Sequence, residues 1–211
     1  MARKIVERVP EGQLQDDLEK YQELAIELGA TEAKVITIDE IVIDERVVAK
    51  CAYPKCPGYG TNVNCPPHAM NIDEVRKAVD KFQYAIFVKL EVPSEQATGK
   101  EAIKKNLPYR RKAAEIVAKI EALAFYDGYH LAVAFASGSC KSLFCPNTDC
   151  IALVPGKACS HHLKARSPME GVGMDVYTMA TKVGWDIYPI GAGTSPEEVP
   201  HALILGLVLI C

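Results

Sequence analysis

Apolar residues recur with a helical period from Gln13 to Leu28. Leu14, Leu18, Tyr21, Leu24, Ala25 and Leu28 share one face, and Gly29 is placed to end the run. From Ala33 to Val48 β-branched and acidic residues alternate, which predicts one or two strands. Asn71 and Glu74 have capping-box spacing and open a helix that turns Ile72, Val75, Ala78, Val79 and Phe82 inward. Tyr84 to Leu90 predicts a strand, and Pro93 to Gly99 an exposed connector. A long helix is expected over Lys100 to Phe125, interrupted at Pro108 and closed by Gly128. Leu131 to Ala136 is a strand. Ser167, Pro168 and Glu170 have the spacing of a capped helix start, with Met169, Val172, Val176, Met179, Ala180 and Val183 on one face up to Gly184. Two more strands are expected near Asp186 to Pro189 and over Ala202 to Ile210.

Strands alternating with helices predict an α/β fold with a mixed sheet. Both halves have the order strand, cysteine loop, capped helix, strand, a pseudo-repeat that places the two cysteine loops at one end of the sheet. The chain is read as one globular domain, 1–211, with sub-lobes 1–95 and 100–211 meeting at the connector.

Composition narrows the classes of function. A hydrophobic content of 49% is that of a folded chain. A net charge of −3 is too mild for nucleic-acid binding. The longest apolar run, Ala202 to Cys211, falls well short of the ~20 residues of a membrane span. The opening MARKIVERVPEG has no apolar signal core. No membrane association and a cytoplasmic location are therefore expected.

The eight cysteines change the picture most. Cys51, Cys56 and Cys65 follow the spacing C-x4-C-x8-C, and Cys145, Cys150 and Cys159 repeat it. Cys140 stands a further x4 upstream of the second set, where the first set has Arg46. Disulfides would not require matched gaps, and a reducing compartment keeps thiols free. Converging thiolates on a repeated ruler are metal ligands: one or two [4Fe–4S] clusters, or zinc. C-x2-C knuckles, common in zinc sites, do not occur. Cys56, Cys65 and Cys145 are each followed by proline, which stiffens the loop and brings no N–H that needs a partner. Both loops are basic in an acidic chain. Arg46, Lys50 and Lys55 face no acid in the first, and Lys141, Lys157, Lys164 and Arg166 face only Asp149 in the second. Arg46, Lys55 and Arg166 are the cations expected close behind the ligands.

Four thiolates (Cys140, Cys145, Cys150, Cys159) fill one centre. Three (Cys51, Cys56, Cys65) leave a position open on the other. His68 or Cys211 could fill it, as could a partner chain, water or substrate. The alternative for His68 is a hydrogen-bonded loop histidine, and for Cys211 a small core residue. An open position would act as a Lewis acid on a small anionic or sulfur-bearing substrate, whereas two closed centres suit electron transfer with a redox partner protein. Gly191-Ala192-Gly193 lacks the rest of a nucleotide-binding fingerprint. Met169, Met174 and Met179 read as core.

Cys56-Pro57-Gly58-Tyr59-Gly60, Cys65-Pro66-Pro67, Arg166-Ser167-Pro168-Met169-Glu170 and Gly173-Met174-Asp175, with the apolar C-terminal strand, resemble a family of bacterial and archaeal predicted metal-binding proteins. The resemblance covers most of the chain after about residue 45. It implies a cysteine-bound metal, iron–sulfur in character, and an anaerobic setting. It implies no reaction.

Overall fold

The computed structural model describes residues 2–211. Its elements run α1 (Glu11–Glu27), β1 (Glu32–Thr37), α2 (Glu45–Ala52), α3 (Ile72–Val79), β2 (Tyr84–Pro93), α4 (Ser94–Ala97), α5 (Ala102–Lys105), α6 (Leu107–Tyr126), β3 (Val133–Phe135), α7 (Cys140–Phe144), α8 (Val176–Lys182) and β4 (His201–Leu209). The four strands form one sheet in the order β1-β2-β4-β3. The central pair, β2 and β4, is zipped from Ala85↔Leu209 to Pro93↔His201.

Both faces of this sheet are covered, which is why β2 and β4 read as nearly continuous apolar runs. Ile86, Val88, Leu90 and Val92 of β2, with Ile204 and Val208 of β4, pack under α1 and α6. Ala85, Phe87, Leu205, Leu207 and Leu209 point the other way, onto α3, α8, Met169, Met174 and Trp185. Gly206 lets α6 come close: a Cβ there would lie 2.6 Å from Cγ1 of Val117. On the outer end of the first face, Asp17 is buried and accepts from Arg3 and from the Tyr129 hydroxyl (2.8 Å). Asp127 accepts from Tyr21 (2.9 Å) and Lys20 (2.6 Å).

The α/β class stands, and several details differ from expectation. Every strand pair is antiparallel, so the sheet is not mixed; an isolated parallel bridge joins Ala136 and Pro168. It follows that β1 and β3 leave the sheet in opposite directions, and the cysteine loops do not start from one end. After β1, a capping box between Thr37 and Glu40 turns the chain into a 3-10 segment, and the Asp44 carboxylate accepts from the Arg46 N–H (2.8 Å) to open α2. Side-chain capping thus outcompetes β-propensity over 38–48, and Cys51 ends in a helix. The chain break in the long helix is as expected: α5 and α6 part at Asn106, with Pro108 in the first turn of α6.

Ser167 does not cap a helix. The Ala136 N–H donates to Ser167 O (2.9 Å) and the Met169 N–H to Ala136 O (2.9 Å), so this backbone extends β3 instead. Glu170–Val172 is a 3-10 turn closed by Gly173 at φ 91°. The helix starts later, at α8, where Asp175 accepts from the Thr178 N–H (3.2 Å) and hydroxyl (2.6 Å). Residues 186–189 form no strand.

Candidate metal centre

Each cysteine segment is a string of tight turns. Backbone N–H groups three residues on donate to the carbonyls of Cys56 (Tyr59, 2.9 Å), Cys65 (His68, 3.0 Å), Cys145 (Thr148, 3.4 Å), Cys150 (Leu153, 3.1 Å) and Cys159 (His162, 3.3 Å). A turn that begins at cysteine directs following N–H groups back toward its sulfur. One such bond is formed, from the His161 N–H to Cys159 Sγ at 3.4 Å.

These turns bring the seven sulfurs into two adjacent groups. Cys51, at the end of α2, lines a cavity of about 220 Å³ with Cys56 and Cys65. Arg110 of α6 and Glu170 share that cavity. Cys140, at the start of α7, lines a void of only about 10 Å³ with Cys145, Cys150 and Cys159; Asn62, Lys141 and His161 close it. Among the described residues no three His, Cys, Asp or Glu donors are already drawn onto a single-ion position. The four-thiol void is about the size of one water. A larger inorganic centre needs Cys145, Cys150 and Cys159 to turn outward, and each of these is only half-buried.

Asn62 joins the two groups. It is fully buried. Its Oδ1 accepts from the Asn64 N–H (3.0 Å) and lies 3.3 Å from Cys140 Sγ, and its Nδ2 donates to Ser139 Oγ (3.1 Å). Asn64 Nδ2 donates to Cys140 Sγ (3.4 Å). Gly58 fits between the segments, where a Cβ would lie 3.2 Å from Ser139 Cβ and 3.4 Å from Cys65 Sγ.

Without a metal these groups are thiols. Burial pushes Cys140 up to about 11, reinforced by Cys65, Cys159 and Cys150 and opposed by the bond from Asn64. Burial also raises Cys65, against the pull of Asn62 and Ser139, and raises Cys51, helped by Cys56, Cys65 and Glu170. Burial raises Cys145 too, opposed by Lys141. A bound metal would replace these protons and relieve the mutual repulsion of the sulfurs. Soft donors, the His161 N–H on Cys159 Sγ, and one cation in each cavity, Lys141 and Arg110, together suit a thiolate-bound metal.

The other expected residues fall in different places. His68 is exposed and lines neither cysteine cavity; its N–H closes the Cys65 turn. Cys211 packs against the α1–α6 core, its carbonyl accepts from the Tyr84 N–H (3.1 Å), and it too lines neither cavity. Arg46 is exposed and clasps Asp44, facing an outer hollow that also holds Cys51 and Cys56. Lys55 lies 6.0 Å over the Tyr59 ring. Arg166 does not reach the sulfurs; it binds Glu121 and the carbonyls of His162 and Ala165 (2.9 Å each), pinning the end of the second segment to α6.

Glu170, Arg110, Asn62, Asn64 and Ser139 were not singled out as site residues from the sequence. Glu170 resembled a capping residue, and Arg110 sits in a charged stretch, PYRRK, like any solvated helix face. Glu170 is packed closely enough that desolvation raises its carboxyl, opposed by the charge of Arg110.

A family model described as "Predicted metal-binding protein (DUF2284)" matches residues 34–210. No curated protein and no solved structure matches the chain. No helix among the described residues is long and apolar enough to cross a membrane.

Proposed function

The chain belongs to the predicted metal-binding family DUF2284, and on that premise we propose that it is a cytoplasmic iron–sulfur protein that passes electrons to or from a partner protein. The observation that carries the reading is the division of seven cysteines, four and three, between two cavities whose segments are tied by the bond from Asn62 Nδ2 to Ser139 Oγ. Cys140, Cys145, Cys150 and Cys159 hold one [4Fe–4S] cluster, and Cys51, Cys56 and Cys65 hold the other. Bound clusters supply one-electron chemistry at low potential. The chain's own part is to hold the two sulfur groups side by side, with Cys65 and Cys140 at the junction, and to set Lys141 and Arg110 beside them. Ile151, Leu153, Val154 and Leu163 are exposed on the four-cysteine segment, an apolar rim suited to a transient partner. Glu170, and not His68 or Cys211, is placed to complete the three-thiolate centre or to yield that position to a substrate.

The small volume of the four-thiol void favours a second reading at that centre alone, a single zinc ion. Anaerobic purification with iron, sulfide and zinc analysis decides between them. The proposal expects a brown protein with roughly eight iron and eight acid-labile sulfide per chain, four for each cubane, and a low-temperature EPR signal after reduction. Colourless protein with stoichiometric zinc and no labile sulfide would overturn it.

A further inference from the structure

A second cavity, of about 400 Å³, lies on the far side of Arg110 and Glu170 from the three cysteines, between the start of α6 and β4. That volume is in the range of small-molecule sites. Its walls are evenly divided between polar and apolar surface, the apolar part including Ile187, Ile190 and Leu203.

Two polar side chains in this wall have unmet bonding capacity. Asn106 is 6% exposed, and its Oδ1 is buried without a partner. Arg110 Nε is likewise buried and unpaired. Among the described residues the half-buried Arg110 guanidinium forms no salt bridge, whereas the buried Asp17, Lys89 and Asp127 are all paired. The backbone makes room for it, since a Cβ on Gly138 would lie 2.6 Å from Arg110 Nη1. A half-buried guanidinium outside any salt bridge, with Glu170 as the acid that shares its cavities, and an orphaned amide oxygen beside it leave bonding capacity unmet inside the fold.

The geometry points to this cavity as the binding site of a small 2-hydroxy monocarboxylate with an apolar body, its carboxylate held by Arg110 and its hydroxyl donating to Asn106. Arg110 offers Nε and Nη donors in the fork that matches a carboxylate. Asn106 Oδ1 needs a donor, and an ammonium at that place would be repelled by Arg110, so the donor is a hydroxyl. The apolar part of the wall, Ile187, Ile190 and Leu203, receives the hydrocarbon remainder. Arg110 and Glu170 line both cavities, so the anion is held next to the three-cysteine group. The inference rests on the chain's own side chains and stands whichever metal the cysteines bind.

The test is calorimetric titration of the anaerobically purified protein with 2-hydroxy-4-methylpentanoate, 4-methylpentanoate and 4-methylpentan-1-ol. The hydroxy acid should bind best and the alcohol not at all. Arg110→Met should weaken both acids about ten- to hundredfold, and Asn106→Leu should weaken the hydroxy acid alone. In the ligand-free protein Arg110→Met should raise the melting temperature, because it removes a half-buried charge that forms no salt bridge and a buried Nε without a partner. Equal binding of alcohol and acid, no binding of either acid at millimolar concentration, acid binding untouched by Arg110→Met, or a lowered melting temperature marking the guanidinium as a structural strut, would each overturn the proposal. Iron and sulfide content plays no part in these readouts, so their failure is separable from failure of the metal assignment.

Discussion

Replacing Asn62 by alanine should loosen both cysteine segments at once. Two of its bonds have good geometry, Asn64 N–H to Oδ1 at 3.0 Å and Nδ2 to Ser139 Oγ at 3.1 Å. The contacts with Gly58 O (3.4 Å) and Cys140 Sγ (3.3 Å) are longer and weaker. Each good bond contributes about 0.5–1.5 kcal/mol, and a donor left buried without a partner adds about 1–3 kcal/mol. The sum expected for Asn62→Ala is about 2–6 kcal/mol, or roughly 4–24 °C in melting temperature for a chain of this length. Urea denaturation of the metal-free protein, in anaerobic buffer with reductant, measures it. Asn62→Asp keeps the Oδ1 acceptor, removes the Nδ2 donor and sets a carboxylate beside the thiols. It should therefore weaken metal retention more than it weakens the fold. A loss below about 1 kcal/mol for the alanine variant would refute the view that this one buried amide joins the two groups.

Two other outcomes follow from the geometry. His68→Ala and Cys211→Ser should retain their metal, while Cys65→Ser and Cys140→Ser should lose iron and sulfide on gel filtration; loss of a full centre in either of the first pair would contradict their placement outside the cavities. Burial works to raise the Asp17 carboxyl, but its bonds from Arg3 and Tyr129 prevail and hold it below the ordinary range. Its contribution is thus complete above the unfolded value near ~3.9 and fades as pH falls through the depressed folded value. Asp17→Asn should cost about 2–3 kcal/mol near neutral pH, and the gap from wild type should shrink below pH ~4; a gap that stays constant with pH would show that Asp17 is not the titrating group.

Helices with a strong apolar period were legible: the faces of α1 and α3, and the interruption before α6, are where the residues place them. Two local signals misled because tertiary pairing claimed the same atoms. Ser167-Pro168-Met169-Glu170 has the residues of a helix start, yet Ala136 takes the backbone on either side of Pro168, and Asp175 caps instead. Val47 and Val48 favour a strand, yet Asp44 precedes them with a capping carboxylate. Spacing alone divides the seven cysteines four and three, and the same division lines the two cavities. What spacing could not give is which distant residues share their cavities, since Arg110 lies on a helix 45 residues beyond Cys65 and nothing in its neighbours marks it as buried.

β3 is three residues long, pairing only Val133, Ala134 and Phe135 with β4. Ala202 to Leu205 of β4 have no β3 partner and line the large cavity with Tyr188 and Ile190, so an incoming chain would have to enter that cavity to extend the ladder. The opposite rim, β1, carries Glu32 and Lys34, charges of the kind that discourage a fifth strand. Neither border of the sheet is thus open to recruitment by backbone zippering, and any macromolecule that engages this protein must read side chains on its loops.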